Sequence, residues 1–149
     1  MKILLKSLTT VLVVFAVCSV AWSEAFPVQF RLGDKEPGKD LEEMTVSGTD
    51  QKVYLHKESV LSNADVKTAS VRKTNDGFGI DIEFTEAGGK KLAEITENNV
   101  GKVMGIVVDG KLISAPVIHT PITGGKAFIL GDFTLEETVR ITKGILGEK

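Results

Sequence analysis

The chain has 149 residues, of which 42% are hydrophobic and 26% are charged, and its formal net charge is −2. These values are typical of a single globular domain with a hydrophobic core. Nucleic-acid binding needs clustered Lys and Arg that displace counterions, whereas here basic and acidic residues are interspersed. The composition therefore argues against a nucleic-acid-binding surface.

The first 25 residues have the pattern of a secretory signal peptide. Lys2 and Lys6 precede an apolar run over about residues 8–20, and small residues follow at the spacing of a cleavage site. We predict a signal peptide over residues 1–25 and a protein that is secreted across the inner membrane into the periplasm. Its removal would shift the net charge from −2 to −3 and remove the sole cysteine and the sole tryptophan.

Two alternatives to a cleaved signal remain open. An uncleaved anchor helix would hold the protein at the membrane, although the apolar run is shorter than the roughly 20 residues that span a bilayer. A lipoprotein would be modified at Cys18, although Val17 stands where such signals have a small residue. Membrane association is therefore expected only through an uncleaved signal.

A strand, a loop and a hairpin are predicted next. Residues 28–32 alternate apolar and polar side chains, as in a half-buried strand. Residues 33–40 are rich in Gly, Pro and charge, which predicts a loop. Two short apolar runs at 44–46 and 52–56 flank a turn near Gly48 and indicate a hairpin.

A helical turn and a longer hairpin follow. Residues 62–65 contain Ser and Asn, whose side chains can accept the free N–H groups at the start of a helical turn. Residues 66–74 and 78–85 are strand-like runs joined at Asp76 and Gly77. An Asp-Gly pair accommodates the positive φ of a tight turn, so this is the clearest hairpin pattern in the chain.

A helix is predicted over residues 86–98, with Thr85 as its N-cap. Gly88 and Gly89 weaken this helix by roughly 1 kcal/mol each relative to Ala. We expect that Gly88, on the inner face, permits a close approach to the sheet. That face is predicted to contain Gly88, Leu92, Ile95 and Asn99.

Three apolar runs come next and predict three successive strands. The first two join at Asp109 and Gly110, and a second hairpin is expected at Gly124 and Gly125, before the third. Because Pro116 cannot donate a hydrogen bond to a neighbouring strand, it predicts an edge or a bulge in the middle strand.

A second helix ends the chain. Thr134 and Glu137 fit a capping box, the helix runs to about Leu146, and Gly147 terminates it. We therefore predict an α+β fold with a mixed, mainly antiparallel sheet that is built from hairpins and has two helices packed on it.

No pattern in the sequence predicts phosphate binding or metal binding. A G-x-x-x-x-G-K-[ST] phosphate loop would need Gly at 120 and Ser or Thr at 127, where the chain has Thr120 and Ala127. The two histidines, His56 and His119, lack the spacing of a metal site. No cofactor and no metal ion are expected.

A hydrolase is the least favoured interpretation. Asp109, Ser114 and His119 are the residues that could supply an acid, a nucleophile and a base. Ser114 lacks the G-x-S-x-G surroundings of a nucleophile elbow, and such a trio arises by chance in a chain of this length. We predict that the protein is not an enzyme and has no catalytic residues.

Three stretches together carry a family resemblance: VYLHKESVLSNADVKTASV, EFTEAGGKKLAEITENNVGKVMGIVVDGKLISAPVI and ITGGKAFILGDFTLEETVRITKGILG. Over residues 53–147 the chain resembles the head subdomain of the first periplasmic domain of SecD and SecDF, the membrane component that assists bacterial protein export. The resemblance implies an α+β domain outside the inner membrane that contacts polypeptides emerging from the translocon.

The sequence departs from a complete SecD in having no multiple membrane spans, no recognisable base subdomain and no intramembrane acid. It is therefore expected to be a stand-alone, exported copy of the head. We divide it into a signal peptide (1–25), an N-terminal strand, loop and hairpin extension (26–52) and a head-like domain (53–149).

The expected function is non-catalytic binding of a polypeptide or an envelope protein. The alternative is a structural or assembly module that docks onto a fixed membrane partner. A strand with an open edge accepts an extended peptide through backbone pairing, so the Pro-interrupted strand and the tip that follows it are the candidate site. It comprises Ile113, Ser114, Ala115, Pro116, Val117, Ile118, Thr120, Gly124, Gly125 and Lys126.

Overall fold

The computed structural model describes residues 27–147, and the predicted signal peptide lies outside them. The described chain forms nine strands, one 3-10 helix (Asn63–Asp65) and two α-helices, α1 (Glu86–Asn98) and α2 (Leu135–Leu146). The strands are β1 (Val28–Asp34), β2 (Leu41–Thr45), β3 (Lys52–His56), β4 (Leu61–Ser62), β5 (Val66–Thr74), β6 (Gly77–Phe84), β7 (Val103–Val108), β8 (Lys111–Ser114) and β9 (Lys126–Phe133).

The strands form two sheets rather than one. The first has the order β2-β3-β1-β7-β8, with β4 also paired to β1, and the second has the order β5-β6-β9. All of these pairings are antiparallel. The predicted α+β class, with hairpins and two helices, is confirmed. No helix in the described range is long and apolar enough to cross a bilayer.

The predicted helix ends are confirmed at both helices. The Thr85 side chain accepts a hydrogen bond from the Gly88 N–H at 3.0 Å. Thr134 and Glu137 form the reciprocal capping box of α2, and Gly147 ends that helix with φ of 69°. These local signals were readable from the sequence because each depends on residues within one helical turn.

The N-terminal strand occupies the middle of the first sheet. β1 pairs with β7 from Val28 opposite Val108 to Gly33 opposite Val103, and with β3 and β4 along its other side. The segment assigned to an N-terminal extension therefore contributes a central strand.

The hairpin predicted at Gly124 and Gly125 is wrong. β9 pairs with β6 in the second sheet, whereas β8 pairs with β7 in the first. Residues 115–125 thus cross from one sheet to the other. The two glycines suited a tight turn locally, but strand pairing is decided by packing between residues far apart in the chain.

One core joins both sheets and both helices. Phe30 on β1 meets Phe84 on β6 edge to face, with ring centroids 5.5 Å apart and planes at 61°. α2 contributes Ile141 and Ile145 to the same cluster, and α1 contributes Leu92. The first and second sheets are therefore held together mainly by apolar burial.

A smaller core lies against the first sheet alone. The turn after β2 reaches β8, where the Ser47 N–H donates to the Leu112 carbonyl at 2.8 Å. β2 and β8 stand at opposite ends of the sheet order, so this bond shows that the sheet curls. The curled sheet covers Val46, Val53, Leu55, Val103, Val107 and Leu112.

Gly88 does permit a close approach, but not to the sheet. A Cβ at this position would collide with the backbone carbonyl of Asp65 in the 3-10 helix. Leu92 follows Gly88 on the buried face, as predicted, and Thr96 completes it with no exposed surface. Thr96 was not predicted on this face because polar residues are usually exposed. Its burial is possible because its hydroxyl donates a hydrogen bond to the Leu92 carbonyl at 2.7 Å.

Candidate binding edge beyond strand β8

The chain after β8 continues alongside β7. The Met104 N–H donates to the Pro116 carbonyl at 2.9 Å, and the Ile118 N–H donates to the Lys102 carbonyl at 2.8 Å. Val117 therefore forms an antiparallel bridge with β7. Pro116 lies along the terminal strand of the sheet, as predicted, where it accepts one hydrogen bond from β7 and has no N–H with which to return a second.

Val117 carries an open backbone edge. Because the hydrogen bonds on either side of it are directed to β7, its own N–H and carbonyl point away from β7. Within residues 27–147 no hydrogen bond engages either group. The open edge begins only after Leu112, because the Leu112 carbonyl already accepts a hydrogen bond from the Ser47 N–H.

The side chains along this edge fall into two groups. Ile113 and Ile118 are only 9% and 4% exposed and belong to the main core. Pro116 is exposed, and Ser114, Ala115 and Val117 are half-buried. The surface available to a ligand thus consists of backbone groups and small side chains, with the two isoleucines holding the strand in place.

We call residues 119–125 the strap. It runs along α1 from the last turn of that helix to the first. The Ile122 N–H donates to the Thr96 hydroxyl at 2.8 Å, and the Gly125 carbonyl accepts from the Phe84 N–H at 2.9 Å. Thr96 therefore anchors the strap in addition to closing the buried face of α1.

The end of the strap lies at the start of α1. A Cβ built on Gly89 would stand 3.2 Å from the Gly125 Cα, so the strap and the helix are in close backbone contact. Nearby, Glu83 is 2.7 Å from Lys67 and 4.0 Å from Lys126. The hydrogen bond and charge of Lys67 lower the pKa of Glu83.

The ten predicted site residues are therefore divided between two sheets. Residues 113–118 border the first sheet, and Gly124, Gly125 and Lys126 border the second. Thr120 lies exposed in the strap between them. The structure connects the two groups through the strap and does not form the single hairpin edge that the sequence predicted.

The residues considered for hydrolysis are not connected. Asp109 lies in the β7–β8 turn with φ of 50°, Ser114 ends β8, and His119 is exposed in the strap. Among the described residues no hydrogen bond links these three side chains. No cluster of three His, Cys, Asp or Glu side chains suited to a metal ion occurs in the described range.

An organised surface on the second sheet was not predicted from the sequence. The Arg72 guanidinium lies 4.5 Å from the centre of the Phe128 ring, and its Nε donates to Asp81 at 2.7 Å. Gly79 leaves room for the ring, because a Cβ there would collide with it. Leu130 is the next residue of β9 on the same face and is 58% exposed. The alternation of side chains along β9 could have indicated this surface from the sequence, because it places Phe128 and Leu130 on one face.

Comparison with known proteins gives the family. The model of the family described as SecDF, P1 head subdomain, matches residues 39–143, well over half of the chain. This chain belongs to the SecDF P1 head family. The resemblance found in the sequence is confirmed, and the family match begins inside the segment assigned to the N-terminal extension.

Individual SecD and SecDF proteins are also similar to this chain. The protein translocase subunit SecD of Rickettsia bellii is 42% identical over 96 residues, covering 62% of this chain and 18% of the relative. SecDF of Thermus thermophilus is 42% identical over 85 residues, covering 55% and 11%. A crystal structure of SecDF in the super-membrane-facing form matches with TM-score 0.69 at 26% identity, covering 85% of this chain and 19% of that chain. The chain thus spans about a fifth or less of these proteins' length.

Proposed function

We propose that this SecDF head-family protein is a non-catalytic binding protein of the bacterial envelope and that it holds an extended segment of an exported polypeptide. The observation that carries the proposal is the open backbone edge at Val117. An extended segment can pair with such an edge as an added strand, and its main-chain hydrogen bonds are independent of its sequence. That independence suits a domain that meets many different exported chains.

The surroundings of the edge favour an unfolded segment over a folded protein. Pro116 is exposed and the neighbouring side chains are small or half-buried, so a second strand can approach closely. The exposed Thr120 and Lys126 supply polar contacts farther along the path of the strap. We place the polypeptide along residues 113–118, with the strap and Lys126 as its continuation.

The location of the protein follows from the same proposal. A head-family domain that meets exported chains lies on the periplasmic side of the inner membrane, as the signal-like N-terminus also indicates. The sole tryptophan, Trp22, provides a test because cleavage of the signal removes it. The intact mass and tryptophan fluorescence of the envelope form should show processing, and an intact mass for the full chain would refute cleavage.

The binding proposal is tested by amide exchange and chemical shifts during titration with an unfolded, export-competent polypeptide. We expect the Val117 amide to shift and to become protected, because it would donate to the added strand. The Ile118 amide already donates to Lys102 and serves as an internal control. Equal behaviour of the two amides, or a flat titration, would reject the proposal.

A pair of variants separates the edge from general surface effects. Val117→Lys places a charge on the edge, a change that discourages strand addition. We expect it to weaken polypeptide binding about tenfold. Val100→Lys is the control for added surface charge, since Val100 is 53% exposed and lies in the turn after α1. Circular dichroism shows whether Val117→Lys remains folded, because the half-buried Val117 side chain packs on the smaller core. Similar affinities for the two variants would count against the edge.

A second function has one observation in its favour. Leu135 and Val139 are 51% and 38% exposed, and their i, i+4 spacing places them on one face of α2. Exposed apolar side chains on a helix suit docking onto a fixed membrane partner. Partner-specific crosslinking through this face, without affinity for unfolded chains, would favour the assembly role over polypeptide capture.

A further inference from the structure

The two faces of the open edge differ in what they offer to an added strand. The chain keeps one register with β7 from Ser114 to Val117. Because side chains alternate along an extended chain, Ala115 and Val117 project to the same face of the sheet. Both are partly buried and pack against the smaller core. We call this pair of side chains the rim, since it forms the apolar margin of that core.

The rim continues into a fully buried row of the first sheet. Val117 lies opposite Val103, which lies opposite Gly33 on β1, and Gly33 in turn lies opposite Leu55 on β3. Val103 and Leu55 have no exposed surface. The Leu55 side chain lies over Gly33, where a Cβ would collide with it. An apolar side chain placed beside Val117 would therefore extend existing packing by one strand.

The opposite face of the edge is in contact with solvent. Pro116 projects to this face between the two rim residues and is exposed, and Ser114 on the same face is half-buried. Ile118, farther along, is already covered by the main core. A side chain placed beside Pro116 by an added strand would thus remain in water, whereas one placed on the rim would be removed from it.

Ala115 offers the same backbone groups as Val117. The Met104 N–H donates to the carbonyl of the intervening Pro116, so the N–H and carbonyl of Ala115 also point away from β7. Within residues 27–147 no hydrogen bond engages these groups. An added antiparallel strand can therefore exchange hydrogen bonds with both rim residues.

This pairing determines which side chains of the added strand meet the rim. The residues directly opposite Ala115 and Val117 are two positions apart in the added strand, and their side chains project to the face of the smaller core. The residue between them lies opposite Pro116 and projects to the solvated face. The rim therefore distinguishes polypeptide segments by the spacing of their apolar residues.

We infer that the edge selects polypeptide segments with two apolar residues two positions apart, the pattern of a half-buried strand. The inference rests on the proposed polypeptide capture and names the class of segment that is held. Backbone pairing alone admits any sequence, and the rim then ranks the segments of an exported chain. A segment with the apolar spacing of an amphipathic helix, three and four positions apart, places only one apolar residue on the rim.

Three peptides of identical composition test this selection on the protein purified from cells that produce the full chain. Each peptide has two Leu among Thr residues and a Lys at each end, and the two Leu stand one, two or three positions apart. Binding is measured from the shift of the Val117 amide during titration. The peptide with two-position spacing should bind about two- to fivefold more tightly than the others, because it alone places both Leu on the rim.

A variant tests whether the rim carries the preference. Val117→Thr removes an apolar partner from the rim and keeps the outward backbone groups. All three peptides should still bind to it, and the preference for two-position spacing should fall below about twofold. Val100→Thr makes the same change at an exposed residue outside the edge and should keep the wild-type preference. Circular dichroism shows whether each variant is folded before the titrations are compared.

The possible failures are distinguishable from one another. Equal affinities for the three peptides would overturn the selection and leave polypeptide capture by backbone pairing in place. A preference that Val117→Thr leaves unchanged would also overturn it, because the selective contacts would then lie outside the rim. If no peptide shifts the Val117 amide, the selection is again overturned, and the titration with an unfolded polypeptide decides whether capture is refuted with it.

Discussion

Gly88 occupies a position where glycine opposes the local preference of the helix. In a helix interior Ala is normally more stable than Gly by about 1 kcal/mol. Here a Cβ would collide with the carbonyl of Asp65, which belongs to a different element. The close packing of α1 on the 3-10 helix therefore outweighs the propensity of the helix.

We expect Gly88→Ala to lower the free energy of unfolding by about 1–3 kcal/mol, the usual cost of overpacking. Gly89→Ala is the matched control on the same helix, where the nearest atom to the added Cβ is the Gly125 Cα at 3.2 Å. Urea unfolding of both variants should show that Gly88→Ala is the less stable. A Gly88→Ala protein as stable as the wild type would contradict the contact.

Asp65 links the 3-10 helix to α1 through charge. It accepts hydrogen bonds from the Lys91 ammonium at 2.7 Å and from the Ser62 N–H at 3.0 Å. Burial alone raises the pKa of this carboxyl, but the two hydrogen bonds and the Lys91 charge together outweigh it. The net effect is a pKa below the ordinary value.

This lowered pKa predicts a pH-dependent contribution to stability. The folded protein binds the proton of Asp65 less readily than the unfolded chain does. The stabilisation is therefore complete above the unfolded pKa of about 3.9 and is lost as the pH falls through the folded value. In urea unfolding, Asp65→Asn should be less stable than the wild type at pH 7, and the difference should shrink below about pH 4. A constant difference across this range would show that Asp65 acts through packing alone.

β1 lies outside the stretches that carry the family resemblance, yet both sheets depend on it. It is central in the first sheet, and Phe30 extends from it to the Phe84 ring of the second sheet. The strand therefore connects the two sheets as well as completing one of them.

Phe30→Ala should lower the free energy of unfolding by about 3–5 kcal/mol, as expected for a large buried aromatic side chain. Gln29→Ala is the matched control on the opposite face of β1 and should cost about 1 kcal/mol or less. Thermal unfolding of both variants measures the difference. Equal losses would mean that the edge-to-face contact does not join the sheets.

Elements defined by local chemistry were predictable from the sequence. Thr85 and Thr134 accept hydrogen bonds from residues three positions ahead, and Asp109 with Gly110 supplies the two positive φ values of the β7–β8 turn. Each signal depends on a few adjacent residues, so the bounds of both helices were correct. The α+β class followed from the same local patterns.

The partition into two sheets was not predictable in this way. The Gly124–Gly125 pair fits a hairpin and equally fits the end of a long crossing segment. Its actual role depends on the pairing of β9 with β6 and on the strap bond between Ile122 and Thr96. Pro116 correctly indicated a terminal strand, whereas the sequence-based prediction joined the two halves of the candidate site by a hairpin that does not exist.

The two sheets share one core and should unfold together. Side chains from both sheets and both helices belong to the same buried cluster. The smaller cluster lies against the first sheet only, but β1 and β7 contribute to the main core from that same sheet. Loss of either sheet would expose the shared surface, which favours a single cooperative transition.

We therefore expect the two sheets to show coincident unfolding midpoints. Tyr54 is the sole tyrosine and lies on β3, so its fluorescence in the signal-processed protein, which lacks tryptophan, reports the first sheet. Far-ultraviolet circular dichroism at 222 nm reports α1 and α2, whose buried faces meet the second sheet. If Tyr54 changed at a lower urea concentration than the helices, the first sheet would open by itself, and polypeptide capture at its edge would then involve local opening rather than a preformed strand.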